Sequence, residues 1–237
     1  MSRPPASTAL AVDALLRDLG PWLRRGSLPA EPAARFPTGL PEIDRLLAGG
    51  FPRGRLSEIA GPFSSGRTSL ALSLLARTTA AGHWVAAIDA ADAFDPASAA
   101  AAGVALERVL WVRPTSPRDA LRSVEHVLTT RGFALIALDL ALPALPGSGV
   151  GRQEAIPSAA WSRLRKLTAG TDTALLVLGC RRIAGSFADL AVEMENARPR
   201  FTHGPDWLEG MEGRIRLVRN RTGPAQRVAS VRWQTAA

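Results

Sequence analysis

The sequence predicts an α/β fold with a mostly parallel central sheet flanked by helices. Three observations predict it. From Thr38 onward, short apolar runs of strand length alternate with amphipathic helical stretches, the rhythm of a parallel sheet covered on both faces. The run EIAGPFSSGRTSL, Glu58 to Leu70, reads as a strand end, a glycine loop and a helix start. The run ALIALD reads as a buried strand ending in a carboxylate, Asp139.

The elements follow in order. Residues Met1 to Ser7 read as disordered. Val12, Leu15, Leu16, Leu19, Trp22 and Leu23 then recur at helical spacing, and Gly26 to Pro37, rich in Pro and Ala, reads as a linker. This gives a division into an N-terminal helix and linker, residues 1–37, and a core, 38–237. A short helix from Pro41 to Leu47 stops at Gly49-Gly50. Strand 55–60 feeds the glycine loop, helix 68–80 leaves it, and 84–89 is the next strand. Asp95-Pro96 opens a helix that stops near Gly103. Strand 109–112, helix 117–130 and strand 135–138 follow. Leu142 to Pro157 is a Gly- and Pro-rich loop. Helix 158–169 leads to strand 174–178. Cys180 to Pro205 shows no strong period and is expected to be partly mobile. Arg214–Val218 and Arg227–Trp233 are expected to pair as a hairpin around Gly223-Pro224.

Composition bounds the function. The 237 residues are 46% hydrophobic and 21% charged, which is globular. The net charge is +8, nearly all from Arg, since Lys166 is the only Lys. That balance suits a polyanionic partner, nucleic acid first, or reflects an Arg- and Ala-rich compositional bias. The single cysteine, Cys180, fits a reducing cytosol. No apolar run has the length of a membrane span, and Asp13 interrupts the N-terminal apolar stretch, so a cytoplasmic protein is expected.

The glycine loop carries the most specific chemistry. Gly61 and Gly66 stand at phosphate-loop spacing around Ser64 and Ser65, with Thr68 where a magnesium-coordinating hydroxyl belongs and Ser69 after it. Backbone N–H groups of such a loop cradle phosphate oxygens, helped by the following helix. Arg67 stands where the pattern has Lys; it keeps the charge with a longer, planar fork and a different donor geometry. Asp139 is expected to hold the water shell of the same magnesium ion. His83, His126 and His203 have no metal-ligand spacing. Trp22, Trp84 and Trp161 are expected to pack in the core rather than stack on bases.

The stretch from Thr38 to Pro96, with its Thr-Gly start, its Gly-Gly-x-Pro-x-Gly-Arg approach, its Ser-Ser-Gly loop and its Ile-Asp-Ala tail, resembles the core of the RecA recombinase family. The similarity continues through WSRLRKLTAG and GRIRLVRNRTGPAQ, over roughly residues 9 to 233. It implies a RecA-like core without that family's C-terminal domain, an N-terminal helix that docks on an adjacent subunit, and ATP with magnesium as the cofactor. It also implies DNA-contacting loops at 142–157 and 180–200, which offer Arg152, Arg181, Arg182, Arg198 and Arg200. Arg219 and Arg221 match two basic residues that reach a neighbouring subunit's ATP.

The departures from the family fall on one circuit. The family's water-aligning Glu belongs at Ala91, with Asp92 one residue out of register. Leu140 replaces a hydroxyl after Asp139. Gly179-Cys180 replaces the amide sensor, which a thiol cannot copy. The altered loop and abbreviated core most resemble the ImuA (SulA-related) group. That resemblance implies a non-catalytic accessory role in SOS-induced translesion synthesis and mutagenesis, with nucleotide held weakly or not at all. The implied partners are RecA, an ImuB-like protein, an error-prone DNA polymerase and single-stranded DNA, with no membrane. Two alternatives stand beside it: a DNA-dependent ATPase and recombinase paralogue, and a nucleotide-independent DNA-binding adaptor.

Overall fold

The structure is a computed structural model that describes residues 34–141, 156–202, 207–221 and 227–234. The expected N-terminal helix and linker, the loop bearing Arg152, His203 and the Gly223-Pro224 turn lie outside the described residues. Among those described, no helix is long and apolar enough to cross a membrane.

A short ladder, β1 (Arg35–Phe36) with β2 (Phe51–Pro52), brackets helix α1 (Pro41–Leu46). Then come β3 (Leu56–Ala60), α2 (Arg67–Ala80), β4 (Trp84–Asp89), α3 (Pro96–Ala101), β5 (Val109–Val112), α4 (Pro117–Thr130) and β6 (Phe133–Asp139). Helix α5 (Ser158–Ala169), β7 (Ala174–Gly179), β8 (Leu190–Met194), β9 (Arg198–Thr202), β10 (Trp207–Asn220) and β11 (Arg227–Gln234) complete the chain. The main sheet has the order β11-β10-β8-β3-β7-β6-β4-β5, with β9 also on β10. Strands from β8 to β5 are parallel. Strands β9, β10 and β11 add an antiparallel extension. The fold class read from the sequence is the one observed.

Alternation along each strand fills two cores. In β6, Leu135 and Ala137 face one side with Leu70, Leu74 and Leu75 of α2, while Ile136 and Leu138 face the other with Val124, Leu128, Trp161 and Leu164 of α4 and α5. Helix α4 starts where Ser116 Oγ accepts the Asp119 N–H at 3.1 Å and Pro117 takes the first helical position. Its buried Ala120, Leu121, Val124, Val127 and Leu128 make the expected apolar stripe.

Two strands and one tryptophan depart from the sequence reading. The segment from Cys180 to Pro205, which shows no strong period, holds β8 and β9. The sequence LAVEM has no polar alternation to mark it, since β8 is buried between β3 and β10; parallel pairing with β3 makes it a strand. Trp84 is not a core residue: it begins β4 and is 49% exposed, whereas Trp161 is buried as expected. The hairpin forms as read, with Arg214 opposite Ser230, but β10 starts seven residues earlier than Arg214, at Trp207.

Candidate functional site

Strand β3 lies between β7 and β8, and its carboxyl end delivers the chain into the glycine loop. The Gly61 N–H is held by the Gly179 carbonyl at 3.0 Å, and the Ala197 N–H donates to the Ser64 carbonyl at 3.0 Å. The loop is thus fastened to the ends of β7 and β8. A Cβ at Gly61 would lie 2.5 Å from Ser65 Oγ. Gly66 begins α2 at φ +85°, and a Cβ there would lie 2.7 Å from the Trp233 ring of β11. Both glycines are therefore required by close approach, and Trp233 covers the start of the helix.

The loop's donors point to an anion. Helix α2 opens with no side-chain cap and no acid in its first turn, which leaves its N–H groups and positive dipole end for a negative ligand. Ser65 Oγ and Arg67 Nε are buried without hydrogen-bond partners. Orphaned buried polar atoms of this kind cost about 1–3 kcal/mol each. A phosphate fits these residues.

Arg67 itself is only 6% exposed. It donates from Nη1 to the Gly61 carbonyl at 2.6 Å. Its guanidinium carbon sits 4.9 Å from the Phe63 ring centroid, so the charge rests on the loop's own atoms. Thr68 and Asp139 line one small cavity of about 30 Å³, together with Asp89 and Phe94. That volume has room for about one water. Asp139 accepts the Ala141 N–H at 2.8 Å. Burial pushes its carboxyl above the usual value, Asp89 adds to that, and the Ala141 N–H and the Arg67 charge oppose it. Asp89 is occupied structurally, accepting the Ala93 and Phe94 N–H groups at 2.9 and 3.0 Å. Among the described residues, no three His, Cys, Asp or Glu side chains gather as a metal site. A magnesium ion here would neutralise phosphate charge, using Thr68, Asp139, water and the phosphates themselves.

Asp92, the carboxylate beside Ala91, is held in an ion pair. Asp92 sits at φ +51° and pairs with Arg113, at 3.0 Å from Nε and 2.7 Å from Nη2; its side chain is 69% exposed. Leu140 is buried in the core on the α4–α5 side.

The expected DNA-contact residues do not share one loop. Arg181 is exposed in the connection after β7, and Arg198 and Arg200 lie beyond β8 in β9. Arg182 is fixed by the Gly185 carbonyl at 2.9 Å and by Glu58, 3.5 Å from its Nε. Arg200 pairs with Glu209 at 3.3 Å. Arg219 and Arg221 stand at the amino end of β8, away from the glycine loop, because Asn220 pairs with Leu190. Arg221 contacts Asp189 and the Ser186 carbonyl at 3.8 and 3.0 Å, and Asp189 also takes Arg165 at 3.1 Å.

Sequence reasoning missed two residues. Glu58, fully buried in the middle of β3, accepts the Ile183 and Ala184 N–H groups at 2.5 and 2.8 Å. It clamps the β7–β8 connection to the strand that carries the glycine loop. A lone carboxylate inside the apolar run LSEIA was the available signal. Trp233 had no local signal, because β-pairing alone brings it to Gly66.

The model of the RecA N-terminal domain family matches residues 22–169, more than half of the chain. The chain belongs to that family. It is 32% identical to Protein RecA of Picosynechococcus sp. over 167 residues, covering 70% of this chain and 45% of that protein. It is 30% identical to Protein RecA of Rubrobacter xylanophilus over 230 residues, covering 86% of this chain and 67% of that protein. The chain thus spans less than half the length of the first relative. The fold is also that of the RadB recombinase crystal structure, with a TM-score of 0.63 at 22% identity over 83% of this chain and 95% of that one. The RecA-like core expected from the glycine loop and its flanks is therefore observed.

Proposed function

We propose that this RecA-like chain is a non-catalytic accessory protein of SOS-induced translesion synthesis and mutagenesis, which binds RecA and limits its filament or its recombination activity. The observation that carries the reading is Arg67. Its guanidinium is buried and bound to the loop's own Gly61 carbonyl, so it is not extended as a free cation for terminal phosphates. Ala91 supplies no base for water, and the adjacent Asp92 is committed to Arg113. A protein of this kind keeps the RecA-shaped sheet and docks on RecA. Without a working nucleotide site it does not propagate the filament. ATP and magnesium bind weakly or not at all. The partners are RecA, an ImuB-like protein, an error-prone DNA polymerase and single-stranded DNA.

The test is electron microscopy of RecA filaments, with strand exchange measured in parallel. Shorter filaments and slower exchange are expected as the protein approaches RecA in concentration. Unchanged filaments at excess protein, together with no RecA binding, would end the proposal. One observation favours a second reading, a DNA-dependent ATPase and recombinase paralogue: Thr68 and Asp139 line the same cavity. ATP turnover that Asp139→Ala abolishes would establish it.

A further inference from the structure

The parallel strands have two ends, and the glycine loop takes only one. At the other, where β6 and β7 begin, a polar cleft of about 590 Å³ opens. This is within the range of small-molecule sites. Its lining carries Arg53, His83 and Arg131 against a single acid, Asp172. Arg53 and Arg131 have no carboxylate partner among the described residues. One aromatic ring places two of the donors. The Arg53 guanidinium carbon lies 4.4 Å from the Phe36 centroid, and the His83 ring packs edge-on to Phe36 at 5.8 Å. Arg53 Nε is buried without a hydrogen bond.

Arg131 adds an independent observation. It ends α4 at φ +61° and ψ 175°, a backbone region that belongs almost entirely to glycine. Glycine follows at position 132, itself at φ +88°. The turn would be easier with glycine at both positions. The strained backbone sets the Arg131 side chain in the lining of the cleft.

We propose that this cleft binds a phosphate-bearing anion, held by Arg53, His83 and Arg131 and separate from the glycine loop. The shared chemistry is the phosphate group, whether on a small ester or on a nucleic-acid backbone. The test is calorimetric titration of the full chain with inorganic pyrophosphate and, separately, with a single-stranded oligonucleotide. The variants are Arg131→Gly, Arg53→Met and Arg67→Met. Arg131→Gly removes the charge while easing the backbone, so its melting temperature holds or rises. Pyrophosphate affinity at the cleft is expected to fall about tenfold in Arg131→Gly and Arg53→Met, while Arg67→Met lowers only the separate binding step that belongs to the glycine loop. The same loss seen with the oligonucleotide alone supports the cleft and names the backbone as the phosphate source. The proposal is overturned if neither ligand distinguishes the native chain from a folded Arg131→Gly variant, or if only Arg67→Met removes binding.

Discussion

Arg67 and Lys carry the same charge but place it differently. Lys ends in a compact ammonium on a flexible stem, whereas the guanidinium is a planar fork that here donates to Gly61 and rests on Phe63. Arg67→Lys is expected to raise MgATP affinity by about tenfold, the worth of one charge-assisted hydrogen bond. Adding Thr68→Ala should remove most of the gain, and turnover should stay undetectable because position 91 remains alanine. Equal affinity of the Lys variant and the native chain, by fluorescence titration, would sink this account of Arg67. Asp139 makes a second, separable prediction. Its folded pKa is raised, above all by burial, so the native state binds the proton more tightly than the unfolded chain does. Stability therefore falls as pH rises through the carboxylate range and beyond. Asp139→Asn keeps an acceptor for the Ala141 N–H and carries no charge. It is expected to melt higher than the native chain at pH 7, with the advantage gone below the ordinary value of 3.8. Melting curves across pH decide it.

At the scale of elements, the glycine loop is a joint between strands. Gly61 is tied to the end of β7, Ser64 to the chain just past β8, and Glu58 holds the connection between those two strands. Replacing Glu58 by Leu strands two backbone N–H groups in the core and leaves Arg182 without its buried counter-charge. A loss of about 3–5 kcal/mol is expected, read as a lowered denaturation midpoint. Glu58→Gln, which keeps an acceptor, should cost less. If Glu58→Leu melts with the native chain, the clamp has no energetic role. These ties also explain what the sequence could reveal. Helices α2, α4 and α5, strands β3 to β7 and the cavity pairing Thr68 with Asp139 were legible, because local periodicity and the loop's spacing encode them. β8, β9 and the Trp233 contact were not, because they depend on pairing between segments distant in the chain. Trp84 misled because it opens an apolar run, and the first residue of a strand can stand outside the sheet's cover.

Across the whole molecule, part of the excess of Arg gathers on one sheet face. Arg198, Arg214 and Arg232 are exposed and have no acid partner among the described residues. They share one face of the antiparallel extension, since Glu212 lies opposite both Arg198 and Arg232 and two residues before Arg214. Arg182, Arg219 and Arg221 are instead engaged with backbone carbonyls and buried acids of the β7–β8 connection. Fixed cations of that second kind release few counterions when DNA arrives; exposed, unpaired ones release theirs. The sheet face, together with exposed Arg181, should therefore carry most of the salt dependence of the single-stranded DNA binding proposed above. Each phosphate contact contributes about −0.7 to the slope of log affinity against log salt. Replacing Arg214 and Arg232 together by Gln is expected to flatten that slope by about 1.4, while Arg219→Gln should leave it nearly unchanged. Fluorescence anisotropy over a range of salt concentrations measures both. An unchanged slope in the double variant, with a steep loss in Arg219→Gln, would move the DNA surface back to the far end of β10.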